Sequence, residues 1–211
     1  MNDLPVVLFG LTMLYISVTG MLGTYVRMLV VQGALLFVIA LMNMNDINFG
    51  AFIFVAVETL LLKAIVIPWF LAKTIHENEM VREVEPYIPN FFSLLFVSLI
   101  FAFGFFLASW SVRMGNTLIP VQFGVSISTM ITGMFIIITR RKLVTHVMGY
   151  MIIENGIFLL SLSAAKEMPV VVSLGVALDI FAGVLMSGLF INRIKTAYDG
   201  SDADSLSQLR D

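Results

Sequence analysis

Three carboxylates stand inside apolar stretches long enough to cross a bilayer: Glu58, Glu154 and Asp179, each near the middle of a different stretch and at roughly one level. A carboxylate at that depth costs several kcal/mol unless it is protonated, paired or hydrated, so its chemistry points to proton or ion movement. Lys63 is the one basic residue left within the membrane, and it must find an acid, a carbonyl or water. Five residues beyond Glu58, it is turned about 140° around an α-helix and points to a different neighbour. The charged form of Glu154 is disfavoured in a hydrophobic setting unless Lys63 or another cation approaches. His146, Tyr150 and Glu154 recur at a spacing of four, which puts them on one helix stripe. His146 then lies about 12 Å nearer the basic end of that helix, and the stripe reads as half of a proton path. Asp179 is expected to exchange protons with Glu154, because a short link from Lys166 to Pro169 makes their helices antiparallel neighbours. Each group also has a structural reading: His146 as an interfacial anchor beside Arg140, Arg141 and Lys142, Tyr150 as ordinary packing, and the acids as neutral hydrogen-bonding locks. Both readings stay open.

The elements that must position these groups are runs of about 20 apolar residues. Seven spans are expected: Leu4 to Val26, Met28 to Met44, Phe49 to Ala72, Phe91 to Val112, Thr117 to Thr139, Leu143 to Ala165 and Pro169 to Asn192. A polar loop from Thr74 to Asn90 separates the third and fourth, and from Thr196 the chain becomes a short solvated tail rich in Asp, Ser and Gly. The N-terminus lacks the basic region and cleavage site of a signal peptide, so the first span is expected to remain.

Composition fits an all-α polytopic membrane protein. Of the 211 residues 59% are hydrophobic and only 12% charged, against roughly 25% charged in a soluble domain. Mean hydropathy is +0.99. The net charge of −2 offers no basic face for nucleic acid. The absence of cysteine excludes disulfides, thiolate metal sites and cysteine-ligated iron–sulfur clusters, so no cofactor is expected in this chain. No phosphate loop, nucleophile motif or metal-ligand spacing stands out. With seven spans, Arg27, Lys73, Arg82, Arg140, Arg141, Lys142, Arg193, Lys195 and Arg210 fall on one side, while Arg113 and Lys166 fall on the other. That bias puts the C-terminus in the cytoplasm and the N-terminus outside.

The chain also repeats itself. Val18-Thr-Gly-Met21 matches Ile131-Thr-Gly-Met134, Pro5 matches Pro120, and Val55-Ala-Val-Glu58 matches Val176-Ala-Leu-Asp179. Two three-helix units emerge as a parallel repeat, joined by the fourth span. The divisions are 1–75 for the first unit, 76–116 for the polar loop and linking helix, 117–195 for the second unit and 196–211 for the tail.

The stretch Met148-Gly-Tyr-Met-Ile-Ile-Glu154-Asn-Gly-Ile-Phe-Leu-Leu160, followed one helix later by Asp179, resembles the small K-type subunit of respiratory complex I. With Val-Glu58-Thr-Leu-Leu-Leu-Lys63 in the first half, the whole chain resembles the hydrogenase-4 component E family. The resemblance implies a non-catalytic membrane-arm subunit of a complex I-related, formate-hydrogenlyase-like assembly in the plasma (inner) membrane. Its implied partners are antiporter-like and other membrane-arm subunits and peripheral hydrogenase-type redox subunits. It implies that Glu154 and Asp179 stand where the family's second- and third-helix acids stand, coupling the redox step to proton or sodium translocation. In the first half Gln32 replaces the second-helix acid and cannot titrate. A free-standing ion transporter and a structural scaffold are the alternative readings.

Overall fold

The computed structural model describes residues 3–43, 49–77, 87–114 and 119–163, and within them every regular element is helical. They are α1 (Leu4–Val18), α2 (Leu22–Asn43), a third rod, then α5 (Asn90–Arg113), α6 (Pro120–Thr139) and α7 (Leu143–Ser163). The third rod joins α3 (Phe49–Val55), a π-helical segment π1 (Ala56–Val66) and α4 (Ile67–Glu77) without a break. Leu22–Asn43, Asn90–Arg113, Pro120–Thr139 and Val144–Ser163 are each long and apolar enough to cross a bilayer, which marks a membrane-embedded protein. The expected seventh span at 169–192, with Asp179, lies outside the described residues.

The first span ends earlier than expected. Helix α1 stops at Val18, because Thr19 takes an extended conformation (φ −77°, ψ 140°) ahead of Gly20. Thr19 Oγ1 accepts the Met21 N–H at 3.3 Å as α2 begins. The carbonyls orphaned at the end of α1 are met by a cation: Arg140 Nη2 donates to Thr19 O at 3.2 Å and, at 3.4 Å, to Ser17 O. Arg27 consequently sits in the second turn of α2 rather than between helices. The matched tetrapeptides also differ: Val18 to Met21 ends a helix, whereas Ile131 to Met134 lies inside α6. Pro5 and Pro120 do share a role, opening α1 and α6 in the first turn, where a missing N–H costs nothing. The polar loop expected from Thr74 starts later, since α4 continues to Glu77.

In π1 the backbone bonds skip five residues, as at its end where the Ile67 N–H donates to Leu62 O. Burial follows that period: Glu58 and Thr59, then Lys63 and Ala64, are buried, while Val57, Leu61 and Val66 are exposed. The expected angle of about 140° between Glu58 and Lys63 is therefore corrected, although Lys63 does reach a different neighbour, Glu154 of α7. That angle assumed 3.6 residues per turn, whereas an i to i+5 helix stacks the two residues on one face.

Helix α2 packs against α1, the third rod and α7, while α6 packs against α1, α5 and α7. Glycines permit the closest approaches. A Cβ on Gly133 would meet Gly149 O at 2.7 Å, and one on Gly33 would meet the Ala64 backbone nitrogen at 2.9 Å. Helix α5 is the outermost of these, with Phe92, Phe96, Phe103, Phe106 and Trp110 exposed. Two apolar clusters fill the interior. One, including Met13, Ile16, Leu29, Leu71, Ile136, Met148 and Ile152, lies toward the end that carries Arg140. The other, including Val6, Phe9, Leu36, Ile39, Val125 and Leu159, lies toward the opposite end. Between them every inner helix contributes polar side chains, forming a waist.

Candidate functional site: a buried ion pair at the waist

The waist is made by sequence position. In α1 Thr12 separates Phe9 from Met13, in α2 Gln32 separates Leu29 from Leu36, and in α7 Glu154 and Asn155 separate Ile152 from Leu159. Each break in an otherwise apolar face falls at the same level. The third rod brings Glu58 and Lys63 there from the buried face of π1. Helix α6 adds Ser128, Thr129 and Thr132, whose hydroxyls bond back to carbonyls four residues earlier and so need no water.

At the centre Lys63 Nζ lies 3.1 Å from Glu154 Oε1, with side chains only 3% and 2% exposed. The ammonium also sits over the Phe158 ring, 4.9 Å from its centroid, one helical turn beyond Glu154. Burying both charges costs several kcal/mol per ion, and their mutual attraction offsets that only while both remain in place. Removing one partner leaves the other stranded. The pair can also pass a proton from nitrogen to oxygen without changing its net charge.

A directional amide chain supports α7 beside the pair. Asn155 Nδ2 donates to Gln32 Oε1 at 3.0 Å, Gln32 Nε2 donates to Thr12 Oγ1 at 2.8 Å, and Thr12 Oγ1 donates to Phe9 O at 2.6 Å. Every bond points the same way, so each polarises the next. Gln32 is fully buried, and its amide ties α7 to α1 across α2.

Of the residues singled out from the sequence, Glu154 and Lys63 are brought into contact, and Glu58 is buried on the same face as Lys63. His146 stands apart, two turns toward the basic end, where its Nε2 lies 2.7 Å from Arg140 O. Tyr150 is half-buried against the apolar cluster of that end. Asp179 lies outside the described residues. Sequence reasoning missed the roles of Asn155 and Arg140. Asn155 was visible only as part of the Glu-Asn-Gly block, and Arg140 only as one positive charge among several. It also missed a second amide contact at the far end, where Asn43 and Gln122 bond reciprocally at 3.0 and 3.3 Å.

No protein-family model matches the chain, and no solved structure matches it. Hydrogenase-4 component E of Escherichia coli K12 and that of Shigella flexneri are each 23% identical to it over 141 residues, covering 67% of this chain and 64% of theirs. The uncharacterized protein Rv0085 of Mycobacterium tuberculosis is 30% identical over 195 residues, which is 90% of this chain and 87% of the relative. At that identity and coverage the chain belongs to the family of Rv0085, with hydrogenase-4 component E as a more distant relative.

Proposed function

We propose that this chain is a membrane subunit of a hydrogenase-type complex, in which the Lys63–Glu154 pair helps couple a redox step in partner subunits to proton or sodium movement. The observation that carries this reading is the ion pair itself, buried between two apolar clusters. A structural chain would gain as much from well-packed apolar residues there, because an ion pair rarely exceeds the stability of an apolar replacement. The distant likeness to hydrogenase-4 component E supports the choice of complex, with antiporter-like membrane subunits and peripheral redox subunits as partners. In this reading Glu154 is the main carrier and Lys63 its charge partner. Glu58 is the next acid along the buried face of π1, and Asp179 is a second station in a seventh span. His146 and Tyr150 extend the stripe toward the basic end. Seven crossings and a parallel repeat of two three-helix units complete the proposed layout, with a cytoplasmic C-terminus.

Purification of the tagged full chain in mild detergent tests the assembly. Co-migration with antiporter-like and hydrogenase-like subunits is expected, and a stable solitary chain would overturn it. Within that complex Glu154→Gln is expected to lower ion-coupled turnover by more than about tenfold, the usual scale for losing a positioned proton carrier. Unchanged coupled turnover in an assembled variant would remove Glu154 from the role.

A further inference from the structure

We infer that the site at the waist takes a proton and excludes sodium, because Lys63 already fills the cation position against Glu154. This rests on the reading above that the pair handles the coupling ion, and it names which ion. The ammonium lies in contact with the carboxylate, 3.1 Å away, with both side chains almost wholly buried. A sodium ion on the same carboxylate would face that ammonium across a few ångströms of apolar interior, where like charges repel most strongly. Displacing Lys63 instead would strand its charge against the Phe158 ring.

Among the described residues, neutral side-chain oxygens of the waist are taken up by other bonds rather than left for a metal ion. A hard cation needs several oxygen ligands at once. Among the described residues Gln32 Oε1 is held by the Asn155 amide, and Thr12 Oγ1 by both Gln32 and Phe9 O. The Thr59 hydroxyl is turned onto Val55 O at 2.7 Å. The apolar clusters on both sides would strip a sodium ion of its water without returning ligands.

A proton needs none of this. It can leave Lys63 Nζ for Glu154 Oε1, the N–H bond breaking with its electron pair left on nitrogen as the O–H bond forms. Ammonium and carboxylate become amine and carboxylic acid, with the same net charge before and after. An arriving proton then binds the amine lone pair, and the departing one leaves Oε1. With Glu58 on the same face of π1, the described residues of the ionised waist hold two carboxylates and one ammonium, a net charge of −1 among them that one further proton cancels. Other titratable side chains toward the basic end include the phenols of Tyr25 and Tyr150 and the imidazole of His146.

Dicyclohexylcarbodiimide, which converts a protonated buried carboxyl to an N-acylurea, tests this on the full chain purified with whatever subunits accompany it, with the label on Glu154 read by peptide mass spectrometry. Labelling that rises on acidification and is the same in sodium as in choline at equal ionic strength is expected. Saturable sodium protection of about tenfold or more, the linkage signature of one carboxyl binding either ion, would overturn the inference. So would failure of Glu154 to label at acidic pH. In Lys63→Met, labelling at neutral pH is expected to rise severalfold as the resident cation is lost, and unchanged labelling of a folded variant would also overturn it. Sodium protection leaves the coupling reading intact, whereas unchanged coupled turnover in Glu154→Gln overturns that reading.

Discussion

At the scale of single residues, an ion pair between Lys63 and Glu154 makes the two side chains interdependent. Lys63→Met or Glu154→Leu alone is expected to destabilise the chain by about 3–5 kcal/mol, because each strands a buried charge. The double substitution should recover most of that loss while still abolishing coupling. Thermal unfolding of the four full-length proteins in one detergent measures it, and additive losses would mean that the two groups do not interact in the folded chain. Gln32→Leu should cost about 1–3 kcal/mol, since it removes the acceptor of the buried Asn155 amide and the donor to Thr12 Oγ1. The same unfolding measurement checks it. Much of this site was legible in the sequence, because a charge inside an apolar stretch stands out whatever the packing. The pairing was legible only as an alternative, Lys63 or another cation approaching Glu154, because the sequence does not say which helix the third rod faces. The Gln32–Asn155 bond was not legible, since its two ends are far apart in sequence and only the packing of α2 on α7 joins them.

At the scale of elements, π1 gives up the tighter α-helical ladder over 11 residues. Such segments are rare and usually a single turn, so keeping one here has a consequence: it presents Glu58 and Lys63 to one side. An apolar run with two charges five apart carries no signal that separates π from α, which is why hydropathy located the rod but misplaced its faces. Gly133 permits the close α6–α7 seam, but a glycine in a sequence does not say whether it faces a neighbour. Gly133→Leu is expected to drive the two helices apart and prevent stable folding, because its Cβ would meet the Gly149 carbonyl and the Ile153 backbone nitrogen at 2.7 and 3.0 Å. Gly23→Ala is the matched control in α2, where nothing lies within 4 Å of an added Cβ. It should be neutral or stabilise by up to about 1 kcal/mol through helix propensity. Yield and monodispersity in detergent distinguish the two, and equal behaviour would show that the seam is not as tight as the glycine contacts require.

At the scale of the whole molecule, the described helices alternate in direction, and their ends carry different charge. Arg140 bonds the end of α1, and the Tyr87 N–H ahead of α5 donates to Thr139 O at 3.1 Å. These contacts gather the C-terminal ends of α1, α4 and α6 with the N-terminal ends of α2, α5 and α7. That end holds Arg27, Lys73, Arg140, Arg141 and Lys142, while the opposite end, tied together by the Ile119 N–H on Ser163 O, has Arg113. Positive charge is retained on the cytoplasmic side during insertion, so the Arg140 end is expected to face the cytoplasm and Asp3, at the start of α1, the outside. One further crossing after α7 would then return the tail to the cytoplasm. The natural chain has no cysteine, so single cysteines report sidedness without background. Asp3→Cys should react with a membrane-impermeant maleimide in intact cells, while Lys142→Cys and Ser207→Cys should react only after the membrane is opened. Labelling of Ser207→Cys from outside, with Lys142→Cys still protected, would leave the described helices oriented as proposed but remove the seventh crossing, and with it the mid-membrane placement of Asp179.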